Sequence, residues 1–195
     1  MEGEAMIKSL CVNCGSNFGA HPDYRSAATR LGQLLGQRGI RLVYGGAEVG
    51  LMGEVANSSL GAGAEVVGVI TEALNSKVGH RGLTRLEVVS TMHERKSRMF
   101  ELSDAFLVMP GGYGTLEEAL ELLTWAQLGQ HDKPIGFLNV RGYFDPLMRF
   151  LDNATEQRFL KVEHRAIAIA ASDPGDLLLA MDSYRPANVA KWFES

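Results

Sequence analysis

Short hydrophobic runs alternate along the chain with longer stretches in which apolar residues recur every three or four positions. The runs are typical of buried strands, and the longer stretches are typical of amphipathic helices. The pattern predicts strands at Ile7–Val12, Ile40–Tyr44, Glu65–Ile70, Leu86–Val89, Ala105–Met109, Ile135–Asn139 and Ala166–Ala170. It predicts helices at Tyr24–Gln37, Leu51–Leu60, Met92–Leu102, Leu116–Leu128, Phe144–Glu156 and Pro174–Met181.

The alternation of strands and helices indicates the fold class. Nearly continuous apolar strands joined by helices are typical of a parallel sheet that is covered on both faces. We therefore predict an α/β fold with a doubly wound, mostly parallel sheet, that is, a Rossmann-like three-layer sandwich. The 195 residues contain no linker, repeat or low-complexity segment, so residues 1–195 are expected to form one domain. The longest irregular stretch, Asn75–Arg85, is expected to be a mobile loop beside a site.

Composition and charge disfavour several classes of partner. With 46% hydrophobic and 22% charged residues, the chain has the make-up of an ordinary globular protein. Its net charge is −4 and it has no basic run, so we expect no nucleic-acid partner. No apolar run approaches the ~20 residues that span a bilayer. The polar start at Met1–Glu4 is also unlike a secretory signal, so we expect no membrane partner.

Cys11 and Cys14 form a C-x-x-C pair, a spacing that is found in redox and metal sites. The pair closes an apolar strand, whereas a redox pair would normally open a helix. The chain has no further cysteine to complete a metal site. We therefore expect structural thiols, no metal and a reducing, cytoplasmic location.

Three glycine-rich loops each follow a predicted strand and precede a predicted helix, namely Cys14–Gly19, Tyr44–Gly50 and Pro110–Thr115. In doubly wound sheets, ligands bind outside the carboxyl ends of the strands. Glycines let backbone amides approach an anion, and a helix N-terminus adds its positive dipole end. The loops therefore predict phosphate or nucleotide binding. The third loop lacks the Gly-Lys-Ser/Thr ending of a P-loop and the third glycine of the dinucleotide fingerprint.

Charged residues cluster around the third loop. Thr115-x-x-Glu118 and Thr91-x-x-Glu94 have the spacing of capping boxes, which is a structural explanation for both glutamates. However, Glu117, Glu118 and Glu121 crowd acids beside a predicted phosphate site, which favours a chemical role or a cationic partner. Arg95 opposes the dipole at the start of its helix, which indicates a partner elsewhere in the fold. Lys96 and Arg98 are expected to form a solvated basic face.

Two motifs link the chain to a known family. Pro110–Glu118 reads P-G-G-x-G-T-x-x-E, and Met92–Lys96 reads Met-His-x-Arg-Lys. Through them the chain resembles the LONELY GUY (LOG) family of cytokinin riboside 5′-monophosphate phosphoribohydrolases, many of which were once described as lysine decarboxylases. The resemblance runs from about Leu10 to Phe150 and includes Gly15–Ser16, Tyr44–Gly46, Gly50–Gly53, His80–Gly82, Glu121–Gly129 and His131–Pro134. We see no candidate lysine for pyridoxal phosphate in the chain.

The resemblance implies an enzyme without a cofactor. It would hydrolyse the N-glycosidic bond of purine (cytokinin) riboside 5′-monophosphates, including AMP, to free base and ribose 5-phosphate. By this resemblance Arg95 and Glu118 are the catalytic pair. The substrate-binding positions it implies are Gly15, Ser16, Gly45, Gly46, Lys96, Gly111, Gly112, Tyr113, Gly114, Thr115, Glu117 and Thr124. It also implies a homodimer, with the site close to the subunit interface.

Two other functions remain open on this sequence. A non-catalytic nucleotide-binding sensor or cofactor carrier would keep the glycine loops, but it would not need both Arg95 and Glu118. A protein that binds single-stranded DNA is disfavoured by the acidic balance of the chain. The chain also departs from the family at Ala47, where glycine is frequent, at Thr71, where proline is common, and at Asn75–Gly79, which lacks an acidic residue. These departures leave recognition of the base open.

Overall fold

The computed structural model describes residues 7–186, 189 and 191–192, in which seven strands form one parallel sheet. The strands are β1 (Ser9–Asn13), β2 (Arg41–Tyr44), β3 (Val66–Thr71), β4 (Arg85–Val89), β5 (Ala105–Val108), β6 (Ile135–Leu138) and β7 (Ala168–Ala171). The helices are α1 (Pro22–Arg38), α2 (Gly50–Gly61), α3 (Glu72–Val78), α4 (Met92–Glu101), α5 (Tyr113–Gln127), α6 (Asp145–Glu156), α7 (Val162–Arg165) and α8 (Pro174–Asp182). A 3-10 turn at Val140–Gly142 precedes α6.

The strand order is β4-β3-β2-β1-β5-β6-β7, and every neighbouring pair is parallel. Strands β2, β3 and β4 therefore follow one another on one side of β1. The chain then returns to β1 and places β5, β6 and β7 on its other side. The order reverses between β1 and β5, where Leu10 lies opposite Ala105. This is the doubly wound, Rossmann-like topology predicted from the sequence, and it makes the carboxyl ends of β1 and β5 the expected place for a ligand.

Each face of the sheet packs against its own layer of helices. Residues of α1, α2 and α8 bury one face, together with strand residues such as Leu10 and Leu107. Residues of α4, α5 and α6 pack on the other face around Phe106 and Phe137. The alternation of side chains along β1 and the loop after it sends Cys11 and Cys14 to different cores. Both thiols are free and buried, and burial raises their pKa, which disfavours the reactive thiolate form.

The stretch between β3 and β4 differs from the expectation of an irregular loop over Asn75–Arg85. Its first residues belong to α3, and Gly79 forms an antiparallel bridge with Ala47. α3 was missed because all of its residues keep some exposure, so it shows no apolar period. The four residues of α7 are likewise too short for a helical period to register.

No described helix is long and apolar enough to cross a membrane. Within the same part of the chain, no three His, Cys, Asp or Glu side chains are grouped so that they could hold a metal ion.

Candidate active site

A cleft of about 280 Å³ opens at the carboxyl ends of β1, β2 and β5. Its floor includes Asn13 and Cys14 from β1 and the loop that follows it, and Met52 and Met99 contribute apolar surface. Nine of the residues expected in a site line it: Gly15, Ser16, Gly45, Arg95, Gly112, Tyr113, Gly114, Thr115 and Glu118. The strand ends therefore bring together the three glycine-rich loops and both charged motifs.

The remaining expected residues lie beside the cleft or away from it. Gly46 and Gly111 neighbour lining residues within the same loops. Lys96 and Glu117 are paired with each other on the adjoining surface of α4 and α5, with Lys96 Nζ 2.6 Å from Glu117 Oε1. Thr124 lines a separate groove on the outer side of α5.

Arg95 and Glu118 form an ion pair at the inner wall of the cleft. Arg95 Nη1 donates to Glu118 Oε1 over 2.9 Å, and Arg95 Nε donates to the carbonyl of Val69 over 3.0 Å. The side chains are only 8% and 15% exposed. The sequence predicts a cationic partner for the acids on α5 and a partner elsewhere in the fold for Arg95. The ion pair between Arg95 and Glu118 fulfils both expectations. The second hydrogen bond fixes the guanidinium against β3.

Gly45 makes room for this arginine. A Cβ at Gly45 would overlap with Nη2 of Arg95 and with the methyl group of Met52. The glycine after β2 is therefore explained by close approach of the guanidinium. A side chain at this position would require the ends of Arg95 and Met52 to shift.

The environment of Glu118 changes its acidity. Burial raises the pKa of Glu118 above the usual value of a glutamate, although the neighbouring Arg95 guanidinium acts in the opposite direction. The raised pKa means that the carboxylate accepts a proton more readily than an exposed one would. Such a group is suited to accept a proton from water.

The two expected capping boxes have different outcomes. The box at the start of α4 is confirmed, because Glu94 N donates to Thr91 Oγ1 and Thr91 N donates to Glu94 Oε2. The prediction of a capping box at Thr115 is wrong. α5 already begins at Tyr113, with Gly112 as its N-cap, so Thr115 lies inside the helix and Glu118 turns to Arg95. The glycines let the chain enter the helix earlier than the threonine.

The glycines of the third loop have two different roles. A Cβ at Gly111 would overlap with the hydroxyl of Thr115, so packing within the protein requires this glycine. A Cβ at Gly112 or Gly114 would meet no atom of the described chain within 4 Å. Packing therefore does not explain these two glycines, whereas close approach of a ligand to the loop would. Their amides belong to the first turn of α5, whose N–H groups have no partner within the helix.

The basic residues Lys96 and Arg98 were expected to be solvated, which is wrong for Lys96, whereas the side chain of Arg98 is 38% exposed. Lys96 lies between Glu117 and Glu121, with its side chain 14% exposed. Arg98 is paired with Glu87 at 2.6 Å and with Glu101 at 3.0 Å. Two cations from α4 thus balance the acids of α5. Arg95 pairs with Glu118 in the cleft, and Lys96 pairs with the other two glutamates.

Two supporting groups had no predicted role. The hydroxyl of Tyr44 is 2.7 Å from Nδ1 of buried His80, and the amide of His80 donates to Gly46 O over 2.9 Å. This pair fixes the second glycine-rich loop. Tyr143 donates from its hydroxyl to the carbonyl of Gly111 over 2.6 Å. A lone aromatic residue ahead of a helix has no sequence signal for such a contact.

The fold and the cleft define a Rossmann-like α/β protein whose glycine-rich loop and helix N-terminus suit a phosphate group beside a buried arginine–glutamate pair. Residues 52–181 match the model of a family described as "Possible lysine decarboxylase". The chain is 48% identical over 176 residues to the probable cytokinin riboside 5′-monophosphate phosphoribohydrolase LOGL1 of Oryza sativa subsp. japonica, with 90% of this chain and 79% of that protein covered. It is 44% identical to the cytokinin riboside 5′-monophosphate phosphoribohydrolase LOG1 of Arabidopsis thaliana, with 95% and 88% covered. The chain belongs to this LOG family.

Solved structures agree on the fold. The molybdenum cofactor binding protein from Rippkaea orientalis superposes with a TM-score of 0.67 at 23% identity, covering 92% of this chain and 98% of that one. At this identity the likeness shows the shared Rossmann-like architecture alone.

Proposed function

We propose that this protein hydrolyses the N-glycosidic bond of cytokinin riboside 5′-monophosphates to free base and ribose 5-phosphate, and that AMP is also a substrate. The observation that supports it most is the buried Arg95–Glu118 pair, which faces the same cleft as the amides at the start of α5. The names of two relatives at 44% and 48% identity describe the same reaction.

The spacing along α5 fits a phosphorylated ribose. The 5′-phosphate is proposed to lie against the amides of Gly112–Thr115, where the helix dipole favours an anion. Glu118 follows Thr115 by one turn, a rise of about 5 Å along the helix. This is comparable with the distance from the 5′-phosphate across the sugar to C1′. Gly15 and Ser16 from the β1 loop also line the cleft, and the amide of Gly15 donates to the carbonyl of Pro110 at the start of the third loop.

These positions support the following course of reaction. Water adds to C1′, the C1′–N bond breaks with its electron pair leaving on the purine, and the purine takes up a proton. Positive charge develops on the sugar as the bond breaks, so a nearby carboxylate stabilises the transition state. Glu118 is proposed to provide that carboxylate and to take the proton from the attacking water. Arg95 holds Glu118 in place, and binding of the distant phosphate contributes positioning energy.

The expected positions outside the cleft have proposed supporting roles. Gly46 and Gly111 shape the loops that hold Gly45 and Gly112. Lys96 and Glu117 form the rim beside the catalytic pair, where they are proposed to contact the substrate. Because both cysteines are free thiols, we also propose a reducing, cytoplasmic location.

A homodimer is proposed through the outer faces of α5 and α6. All residues of α6 keep some exposure although the helix is amphipathic, and Phe150 on it is 64% exposed. A groove of about 310 Å³ beside it is lined by apolar residues including Leu120 and Leu151, and by Thr124. A second copy seated here would place Thr124 at the interface. Light scattering should give the mass of a dimer, and Leu120→Arg should give a monomer. A monomeric unaltered protein would contradict this proposal.

Base release measured by chromatography tests the reaction. The substrates are AMP, isopentenyladenosine 5′-monophosphate and the two unphosphorylated nucleosides. We expect free base from both monophosphates and little from the nucleosides, with the faster monophosphate identifying the preferred base. Nucleotide binding without base release would instead support a sensor or carrier.

A further inference from the structure

The loop between β6 and α6 reaches the third glycine-rich loop through Tyr143. The Tyr143 hydroxyl donates to Gly111 O over 2.6 Å. Tyr143 does not line the cleft that contains Glu118. It lines a second crevice of about 320 Å³ on the other side of the loop, together with Tyr24 and Gly111. Gly112 borders both spaces, as do Gly15 and Ser16, whereas Gly111 borders only the second crevice.

The geometry of this peptide links the two sides of the loop. The described chain has no cis peptide bond, so the Gly111 carbonyl and the Gly112 N–H point in opposite directions. Because the carbonyl points to Tyr143, the amide of Gly112 points away from Tyr143. Gly112 also lines the cleft, which Tyr143 does not line. Gly112 is the N-cap of α5, and its amide has no partner within the helix.

The ring of Tyr143 packs against two aromatic neighbours, although 41% of the residue is exposed. Its ring makes edge-to-face contacts with Tyr24 at 5.9 Å and with buried Phe144 at 5.1 Å. The preceding turn contains Arg141 at φ 56°, and an ion pair of 3.1 Å with Asp23 anchors this residue. A non-glycine residue at positive φ persists only where the surroundings fix it. These contacts favour the side-chain orientation in which the hydroxyl reaches Gly111.

We propose that Tyr143 is a positioning residue for phosphate. Its hydroxyl sets the orientation of the Gly111–Gly112 peptide and so aims the Gly112 N–H at the anion. Without this hydrogen bond the peptide can rotate and turn the carbonyl oxygen towards the cleft, where its partial negative charge repels phosphate. The inference rests on the proposed function in taking a phosphorylated ligand for this loop.

Tyr143→Phe tests the inference, because it removes the hydroxyl and keeps the ring contacts. We expect KM for the nucleoside monophosphate to rise about tenfold, the effect of weakening one charge-assisted hydrogen bond, with kcat within about twofold. The affinity for inorganic phosphate, measured by calorimetry, should fall by a similar factor. Tyr24→Phe is the matched control, since within the described residues the Tyr24 hydroxyl has no hydrogen-bond partner. It should leave both quantities unchanged.

The readouts separate this inference from the proposed reaction. Weaker phosphate binding in Tyr143→Phe supports the positioning role even if the unaltered protein releases no base, a result that would contradict only the hydrolase. Unchanged phosphate affinity overturns the inference, as does a fall in kcat at constant KM. Circular dichroism at the assay temperature confirms that both variants are folded when they are compared.

Discussion

Arg95 from α4 and Glu118 from α5 meet at 2.9 Å in the wall of the cleft, although 23 residues separate them in the chain. A buried ion pair adds little net stability, because loss of hydration offsets the attraction between the charges. The pair is therefore better explained by chemistry than by folding. It also joins the two motifs that define the family resemblance, so that neither motif forms the site alone.

The acidity of Glu118 predicts a pH dependence of turnover. Burial raises the pKa of Glu118, so as the pH falls the reactive carboxylate is lost at a higher pH than an exposed glutamate would be. We expect the acid limb of kcat to have its midpoint above about 4.5, the usual value. The measurement uses saturating monophosphate, because the substrate phosphate itself titrates near pH 6 and affects kcat/KM. An acid limb at or below the usual value would contradict the burial of this group in the working enzyme.

A substitution at Gly114 is expected to weaken ligand binding without lowering stability. A Cβ at this position meets no atom of the described chain within 4 Å, and alanine is favoured over glycine in helices by up to about 1 kcal/mol. We expect Gly114→Ala to keep or raise the melting temperature and to raise KM for the monophosphate several-fold, because the methyl group occupies space next to the phosphate.

Gly61→Ala is the control for that substitution. Gly61 is the last residue of α2 and lies away from the cleft. As at Gly114, a Cβ at Gly61 would have no neighbouring atom of the described chain within 4 Å. This variant should leave KM unchanged. A Gly114→Ala protein with the KM of the unaltered enzyme would show that no ligand approaches this glycine.

His80 predicts a pH dependence of stability. Burial lowers the pKa of His80, and the Glu48 carboxylate 4.0 Å away offsets this only in part. The unfolded chain therefore takes up a proton near pH 6.5 while the folded protein does not, so the free energy of unfolding falls as the pH drops from about 7 to 5. The slope that one such group contributes is at most about 1.4 kcal/mol per pH unit.

Urea unfolding of His80→Gln and of the unaltered protein at several pH values measures this slope. We expect the variant to be less stable at pH 7.5, because the contact with Tyr44 changes, and to lose less stability on acidification. The raised pKa of Glu118 and the lowered pKa of His131 affect both proteins alike, so the difference isolates His80. Parallel pH curves would contradict the buried, uncharged state of His80.

Much of the fold could be predicted because burial and the apolar pattern coincide. Every residue of β3 is buried, and the strand reads as one apolar run. The glycine-rich loops could be placed at the strand ends for the same reason. α3 could not be predicted, because its residues all keep some exposure and its position is set by contact with β3 and β4.

The site was predictable in its residues and less so in its contacts. The misfit of Arg95 with the helix dipole indicated a partner, but only the fold shows that this partner is Glu118. The start of α5 was misplaced because Thr115-x-x-Glu118 has a local explanation that a tertiary contact overrides. Tyr143 lies 32 residues from Gly111, and its role depends on the return of the chain after β6.

The most direct test of the account is base release by Glu118→Gln, which keeps the shape of the side chain and removes its charge. Glu121→Gln is the matched control, since Glu121 lies one turn further along α5 and pairs with Lys96 outside the cleft. We expect Glu118→Gln to remain folded and to lose activity by at least about 100-fold, the lower end for loss of a general base, while Glu121→Gln keeps most of it. Release of free base by Glu118→Gln at close to the unaltered rate would contradict the central claim that this carboxylate cleaves the glycosidic bond.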